Sequence, residues 1–138
     1  MIDITFFTKK WKEVDGHKLV NGWEIIKPNG DKQYVGDQFD FAVTAMYLLN
    51  NNSIKKTLFS LLTRRTSLYS VRIGRAKHIV VKSQGRFIDL KLRKWVNRCY
   101  LECNDPIYIF RFRLPIPYIA YKLLLGRYER WSLWNKIS

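Results

Sequence analysis

The chain has 138 residues, the size of one domain, of which 47% are apolar and 15% aromatic. This composition excludes a disordered tail, which lacks the residues needed for a core, and no apolar run approaches the roughly 20 residues that span a bilayer. The formal net charge of +14 indicates an anionic partner.

The positive charge is concentrated in residues 54–98. This block contains thirteen Lys and Arg residues and one acid, Asp89, whereas residues 1–53 contain six basic and seven acidic residues. We predict that the block presents a continuous positive surface. Its predicted polyanion-binding residues are Lys55, Lys56, Arg64, Arg65, Arg72, Arg75, Lys77, Lys82, Arg86, Lys91, Arg93 and Lys94. The surface is either solvated for solubility or matched to phosphates or an acidic protein.

The first predicted elements are a strand and a hairpin. Residues 2–7 alternate weakly and predict a short strand, and residues 19–35 predict a hairpin with turn residues at 28–31. The apolar period then becomes helical over residues 41–49, with Asp37 or Asp40 near the start of the helix.

A second amphipathic helix is predicted at residues 54–62, capped by Ser53. Its predicted inner face consists of Ile54, Leu58, Phe59, Leu61 and Leu62. Further strands are predicted at residues 67–73, 78–82, 86–92 and 107–113, and a last helix at residues 118–137. This order predicts an α+β fold in one domain over residues 1–138, with an antiparallel sheet packed against two or three helices.

Three short motifs could form a site together. They are a loop running into a helix at residues 36–42 (GDQFDFA), a strand led by a histidine at 77–82 (KHIVVK), and a turn and strand ending in a carboxylate at 85–89 (GRFID). Together they resemble papain-like cysteine hydrolases, including the small microbial and phage members of that superfamily.

The resemblance implies roles for three residues. In that family a cysteine at a helix N-terminus is the nucleophile, a histidine is the base and an Asp or Asn orients the imidazole. His78 matches the base and Asp89 the orienting acid. Gln38 stands at the nucleophile position, and an amide cannot attack a carbonyl. The resemblance therefore implies a papain-like fold without thiol-dependent catalysis, either a degenerate relative or a form whose cysteine has been replaced.

The two cysteines, Cys99 and Cys103, lie outside the motif. Their C-x3-C spacing differs from the C-x2-C of zinc sites, so we expect neither a metal nor another cofactor. A permuted relative with His78 first and Cys99 or Cys103 as nucleophile is a further alternative, although no helix-start signal precedes Cys99. We expect both thiols to be reduced and the protein to be cytoplasmic.

Aromatic and basic residues interleave in two places. Phe112 lies between two arginines on a predicted strand, and Tyr128, Trp131 and Trp134 lie in the basic C-terminal segment. Such mixing suits single-stranded nucleic acid, because cations hold phosphates while rings stack on bases. The same pattern fits core packing, an amphipathic helix on an anionic membrane surface, or an interface anchor.

The sequence thus predicts a non-catalytic basic binding protein whose partner is nucleic acid or an acidic protein. One alternative is a papain-like hydrolase or its inactive relative. Another is a viral or phage structural or assembly protein, found in the host cytoplasm or the virion. No oligomeric state follows from the sequence.

Overall fold

The computed structural model describes residues 4–13, 22–28, 30–103 and 106–137, and these have the predicted α+β fold. The helices are α1 (Thr5–Lys9), α2 (Gln38–Leu49), α3 (Ile54–Leu62), α4 (Arg98–Cys103) and α5 (Ile116–Ile137). The strands are β1 (Trp11–Glu13), β2 (Tyr34–Gly36), β3 (Thr66–Ile73), β4 (Ala76–Ser83), β5 (Arg86–Ile88) and β6 (Tyr108–Arg113).

The main sheet is antiparallel, in the order β5-β4-β3-β6. A tight turn at Gly74, whose φ of 61° lies in the left-handed region that glycine favours, joins β3 to β4. β5 is short and pairs only with the last part of β4, where Val81 lies opposite Ile88. Within the part of the chain that the structure describes, the first part of β4 therefore has no strand partner on that side, and a helix can approach its edge.

The predicted strand at residues 2–7 is wrong where the structure describes it. Residues 5–9 form α1, and Ile4, Phe7 and Thr8 are buried at helical spacing. Three or four apolar residues in a short window fit both the strand period and the helix period. Here the packing of Phe7 favours the helix, because its ring stacks on Phe41 with centroids 5.2 Å apart. Residues 1–3 lie outside the described residues.

The predicted hairpin is also wrong. β2 pairs in parallel with β1, with Trp11 opposite Tyr34. Residues 23–28 form no strand and run beside α2. Polar side chains of that helix accept hydrogen bonds from their N–H groups. Asp40 Oδ1 accepts from Glu24 N–H at 2.9 Å. Thr44 supplies the next acceptor, from Ile26 N–H at 2.9 Å. Residues 14–21 and 29 lie outside the described residues.

α2 begins at Gln38 because two aspartates cap it. Asp37 Oδ1 accepts from Asp40 N–H at 2.9 Å, and Asp40 Oδ2 accepts from Asp37 N–H at 3.4 Å, which completes a capping box. Both predicted start residues therefore act together. The cap fixes the position of Gln38 at the helix N-terminus.

The sheet is covered on both faces by buried side chains. The first core cluster joins one face to α1, α2 and α5 and includes Phe7, Phe41, Met46, Leu68, Ile79, Val81, Ile88 and Ile119. The second core cluster lies on the opposite face and comprises Val71, Ile73, Val80, Phe87, Leu101 and Tyr108. The predicted packing of an antiparallel sheet against helices is thus confirmed.

α4 was not predicted, since no start signal was recognised before Cys99. The missed signal is Asn97, whose Oδ1 accepts from Tyr100 N–H at 2.8 Å as an N-cap does. Leu101 then anchors the helix in the second core cluster.

α5 starts two residues earlier than predicted and is held by close backbone contact. A side chain at Gly22 would collide with Gly126 of the helix, and Trp23 N–H donates to Lys122 O at 2.9 Å. Within the described residues, α5 included, no helix is long and apolar enough to cross a membrane.

Candidate functional site

A large cavity lies between the end of α3 and the turn that joins β4 to β5. Its volume is about 1150 Å³. We call it the basic cavity, because its walls carry the cations of Lys56, Arg64, Arg65 and Lys82. All four are among the predicted polyanion-binding residues, so the structure brings a third of that set to one place.

The termination of α3 positions the two arginines. Thr63 is the C-cap, and Arg64 follows it with a φ of 61°, which reverses the chain. Arg65 N–H then donates to Ser60 O at 2.9 Å. The hydroxyls of Ser60 and Thr66, 2.7 Å apart and buried, tie the helix to the start of β3.

Lys82 reaches the cavity from the sheet. Its ammonium lies 5.9 Å from the ring centroid of Tyr69 and 5.8 Å from that of Phe87. The faces of aromatic rings attract cations at such distances. Both rings lie on the face of the second core cluster and neither lines the basic cavity, so the Lys82 ammonium lies on that face, beside the cavity.

The basic cavity is positive because its described lining includes four cationic residues and no acidic one. α2 and α3 both end beside it, and each helix end contributes a partial charge of about −0.5. Four full positive charges exceed the sum of these two partial charges, so an anion is attracted.

Phe59 is a cavity residue that the sequence analysis placed on the inner face of its helix. Of that predicted face the structure buries Leu61 and half-buries Leu58, and it buries Thr57 and Ser60 as well. The bond between Ser60 and Thr66 sets the rotation of the helix, and it leaves Phe59 58% exposed on the cavity wall. The useful signal was the spacing of three residues between Lys56 and Phe59, which places them on one helical face.

The other predicted basic residues do not line this cavity. Those at the far end of the β3–β4 hairpin or elsewhere on the surface are exposed: Lys55, Arg72, Arg75, Lys77, Arg86, Lys91 and Lys94. Arg93 is half-buried, and its guanidinium donates to the carbonyls of Leu90, Thr8 and Trp11 at 3.1, 3.3 and 2.8 Å. Arg93 therefore joins the N-terminal segment to the turn after β5. Contrary to the prediction, its side chain does not face solvent.

The predicted aromatic contacts also lie elsewhere. Phe112 is exposed on β6, and Tyr128 and Trp131 are exposed on α5, with ring centroids 6.4 Å apart. None of these three lines the basic cavity. Trp134 lies in α5, and its side chain is outside the described residues.

A second, smaller cavity of about 250 Å³ contains all three residues of the papain-like resemblance. We call it the small cavity. Gln38, His78 and Asp89 line it, together with Glu13 and Lys91 among others. Side chains alternate along β4. His78 therefore starts from the face of Val80, and Gln38 approaches from the opposite, α2-covered face, so that they meet at the open edge of β4.

The Gln38 side chain is bound to the edge of β4. Its Nε2 donates to Lys77 O at 3.4 Å, and its Oε1 accepts from Ile79 N–H at 3.2 Å. The amide thus pairs with the peptide groups on either side of His78, as a neighbouring strand would. This pairing is possible because β5 ends before it reaches that part of β4.

Asp89 is 2% exposed, and its carboxyl serves mainly the turn after β5. Oδ1 accepts from Leu92 N–H at 2.7 Å. Oδ2 has the Tyr108 hydroxyl as a neighbour, yet within the described residues neither atom completes a hydrogen bond. Burial raises the pKa of Asp89 above its usual range, and His78 opposes this rise only as a nearby charge. Burial and the Asp89 carboxyl likewise raise the pKa of Tyr108.

The cysteines lie together on α4, away from these groups. Cys99 and Cys103 are exposed, with their Sγ atoms 3.6 Å apart, and neither is among the residues lining the small cavity. The hydrogen bond with Cys99 raises the pKa of the Cys103 thiol. A raised pKa lowers the thiolate fraction of Cys103, which makes this thiol a weaker nucleophile at neutral pH.

Comparisons with known proteins identify no relative. No protein-family model matches the chain, and neither a curated protein nor a solved structure matches it.

Proposed function

We propose that the protein is a non-catalytic binder of a phosphate-bearing polyanion, held in the basic cavity. The observation that supports this proposal is the collection of four cations around one cavity whose described lining includes no acid. The 45-residue basic block contains a single acid, Asp89, and that residue lines the small cavity.

The kinds of cation present favour phosphate as the bound group. An arginine guanidinium can donate two parallel hydrogen bonds to a phosphate, and a lysine ammonium acts as a point charge. Arg64 and Arg65 supply the first kind of contact. Lys56 and Lys82 supply the second from the helix and from the sheet. A partner with regularly spaced phosphates, such as nucleic acid, uses both walls at once.

The experiment is a salt titration of nucleic-acid binding with two matched double variants. Arg64→Ala/Arg65→Ala removes two charges from the basic cavity. Arg72→Ala/Arg75→Ala removes two exposed charges from the hairpin end outside it. The first variant should weaken binding to all sequences and flatten the slope of log affinity against log salt by about 1 to 2 units. The second variant should leave the slope nearly unchanged.

Equal losses in the two variants would contradict the assignment to this cavity. Absence of affinity for every nucleic acid and for heparin at low salt would contradict polyanion binding itself. If only an acidic protein binds, with salt changing mainly the association rate, the phosphate assignment is wrong. We also propose a cytoplasmic location, supported by the free thiols of Cys99 and Cys103.

A second proposal concerns the scaffold. We propose that the small cavity is the degenerate site of a papain-like hydrolase, supported by Gln38 at the start of a capped helix sharing that cavity with His78 and Asp89. The Gln38 amide is not a nucleophile, and it is already paired with β4. The protein should therefore have no thiol-dependent peptidase or amidase activity, and activity that iodoacetamide abolishes would contradict this.

A further inference from the structure

Phe59 has a large apolar ring that the fold leaves exposed to water. The ring is 58% exposed and belongs to neither core cluster. Burial of such a side chain stabilises a protein by removing apolar surface from water, and the fold forgoes much of this stabilisation at Phe59. A single exposed aromatic residue is common. The surroundings of this one give it a use.

The ring of Phe59 lines the basic cavity together with cationic residues from three places: α3, the segment that follows α3, and β4. Lys56 lies three residues before it on α3, so both side chains share one helical face. Arg64 and Arg65 follow the end of the same helix, and Lys82 borders the cavity from the sheet. A base that stacks on Phe59 would therefore have cations near the phosphates on either side of it.

This combination selects among polyanions. Heparin and an acidic protein surface offer charge but no planar base for the ring. In a duplex each base is already stacked on its neighbours, so a side-wall ring finds no free face. An unpaired strand offers both phosphates and free base faces, and proteins that bind such strands combine a positive groove with aromatic side chains.

The size of the cavity agrees with such a ligand. Pockets for small molecules measure about 300–1,000 Å³, and the basic cavity measures about 1150 Å³ and is open to solvent. It accommodates more than one nucleotide, and its open side lets a strand enter and leave.

We propose that the basic cavity binds single-stranded nucleic acid, with Lys56, Arg64, Arg65 and Lys82 on the phosphates and Phe59 stacked on a base. This inference rests on the proposed function and adds the class of polyanion and the stacking residue. Whether the strand is DNA or RNA depends on contacts to the sugar, which the test separates.

Two variants and five probes test the inference by fluorescence anisotropy over a series of salt concentrations. The probes are oligothymidylate, oligouridylate, an abasic strand of the same length, a duplex and heparin; about 12 nucleotides suffices, within the usual site sizes of 4–16. Phe59→Leu removes the ring and keeps the charge. Phe112→Leu is the matched control, because Phe112 is also an exposed aromatic residue beside an arginine, with Arg111 5.8 Å from its centroid.

Phe59→Leu should weaken binding of at least one oligonucleotide by about 5- to 150-fold, the usual worth of one stacked base. Its affinity for heparin and for the abasic strand should not change, and its salt dependence should stay the same because no charge is lost. Phe112→Leu should leave every affinity unchanged. A loss for one oligonucleotide only would identify the sugar that the cavity accepts.

The two proposals fail in different ways. If the original protein binds heparin, duplex, abasic strand and oligonucleotides alike, or if Phe59→Leu binds oligonucleotides normally, the single-strand inference is wrong and polyanion binding stands. If the original protein binds none of the five probes, the proposed function is wrong as well. Because the abasic comparison uses the unmodified protein, the result does not depend on how well a variant folds.

Discussion

One strand, β4, carries residues of two very different cavities. Near its start, His78 and Ile79 line the small cavity, and near its end, Lys82 and Ser83 line the basic cavity. The small cavity of about 250 Å³ contains buried or half-buried groups, among them Asp89 with its raised pKa. The basic cavity has more than four times that volume, and its cations and its ring are accessible.

The difference shows that polar and charged side chains can either make hydrogen bonds within the fold or remain available to a ligand. In the small cavity, Gln38 pairs with β4 and one Asp89 oxygen holds a turn. In the basic cavity the cations are gathered without a described acid beside them. The first site therefore has hydrogen bonds that stabilise the fold, and the second has charge that a ligand can neutralise.

The largest expected effect comes from removing the cap that positions the small cavity. Asp40→Ala removes the acceptor for Glu24 N–H and half of the capping box while leaving the basic cavity intact. Asp40 is 2% exposed, so the N–H groups of Glu24 and Asp37 would lose their acceptor at a position that water hardly reaches. We expect a loss of about 2–4 kcal/mol in the free energy of unfolding, measured by urea denaturation.

Glu102→Ala is the control for Asp40→Ala, because it breaks only the exposed ion pair with Arg98. That change should cost at most about 0.5 kcal/mol. Heparin affinity of the folded Asp40→Ala protein should match that of the original. A loss below about 1 kcal/mol would mean that residues 23–28 do not depend on α2 as the geometry implies.

The next effect tests whether the small cavity can still activate a nucleophile. With both native cysteines replaced by serine, Gln38→Cys places a thiol at a helix N-terminus in the cavity of His78. If this environment lowers the thiol pKa by one unit, alkylation by iodoacetamide at neutral pH becomes about tenfold faster. Gly30→Cys, in an exposed turn outside both cavities, supplies the reference rate.

His78→Ala added to Gln38→Cys should remove part of this acceleration, since the imidazole contributes to it. The comparison is demanding, because Gln38 is half-buried and Gly30 is exposed, so access alone favours the reference. Equal rates at the two positions would end the interpretation of the small cavity as a degenerate hydrolase site.

Local signals allowed part of this fold to be predicted. Alternation identified β3, β4 and β6, and helical spacing after Asp37 identified α2, because each pattern extends over at least five residues. The pairing of β1 with β2 could not be predicted, since it depends on contacts such as Trp11 Nε1–H to Gly36 O, 25 residues away.

The candidate sites were predictable to different degrees. The papain-like resemblance predicted that Gln38, His78 and Asp89 lie together, and all three line the small cavity. It could not reveal that the Gln38 amide would pair with the edge of β4. Charge counting found the block that contains Arg64 and Arg65, but not which cations converge. Phe59 was missed because a helical period gives the apolar stripe only approximately, and the bond between Ser60 and Thr66 decides its rotation.

The smallest expected effect is a pH dependence that belongs to the small cavity alone. Burial raises the pKa of Asp89, so the folded state holds the proton more tightly than the unfolded chain, whose Asp ionises near about 3.9. The free energy of unfolding should therefore fall as pH rises through the folded pKa, because ionisation then disfavours the folded state. Asp89→Asn cannot ionise and keeps an acceptor for Leu92 N–H, so it should gain stability relative to the original protein between pH 4 and pH 8. Urea denaturation across that range measures the difference, with Glu102→Gln as an exposed control. A constant difference between the original protein and Asp89→Asn would mean that this carboxyl ionises as freely as one in water.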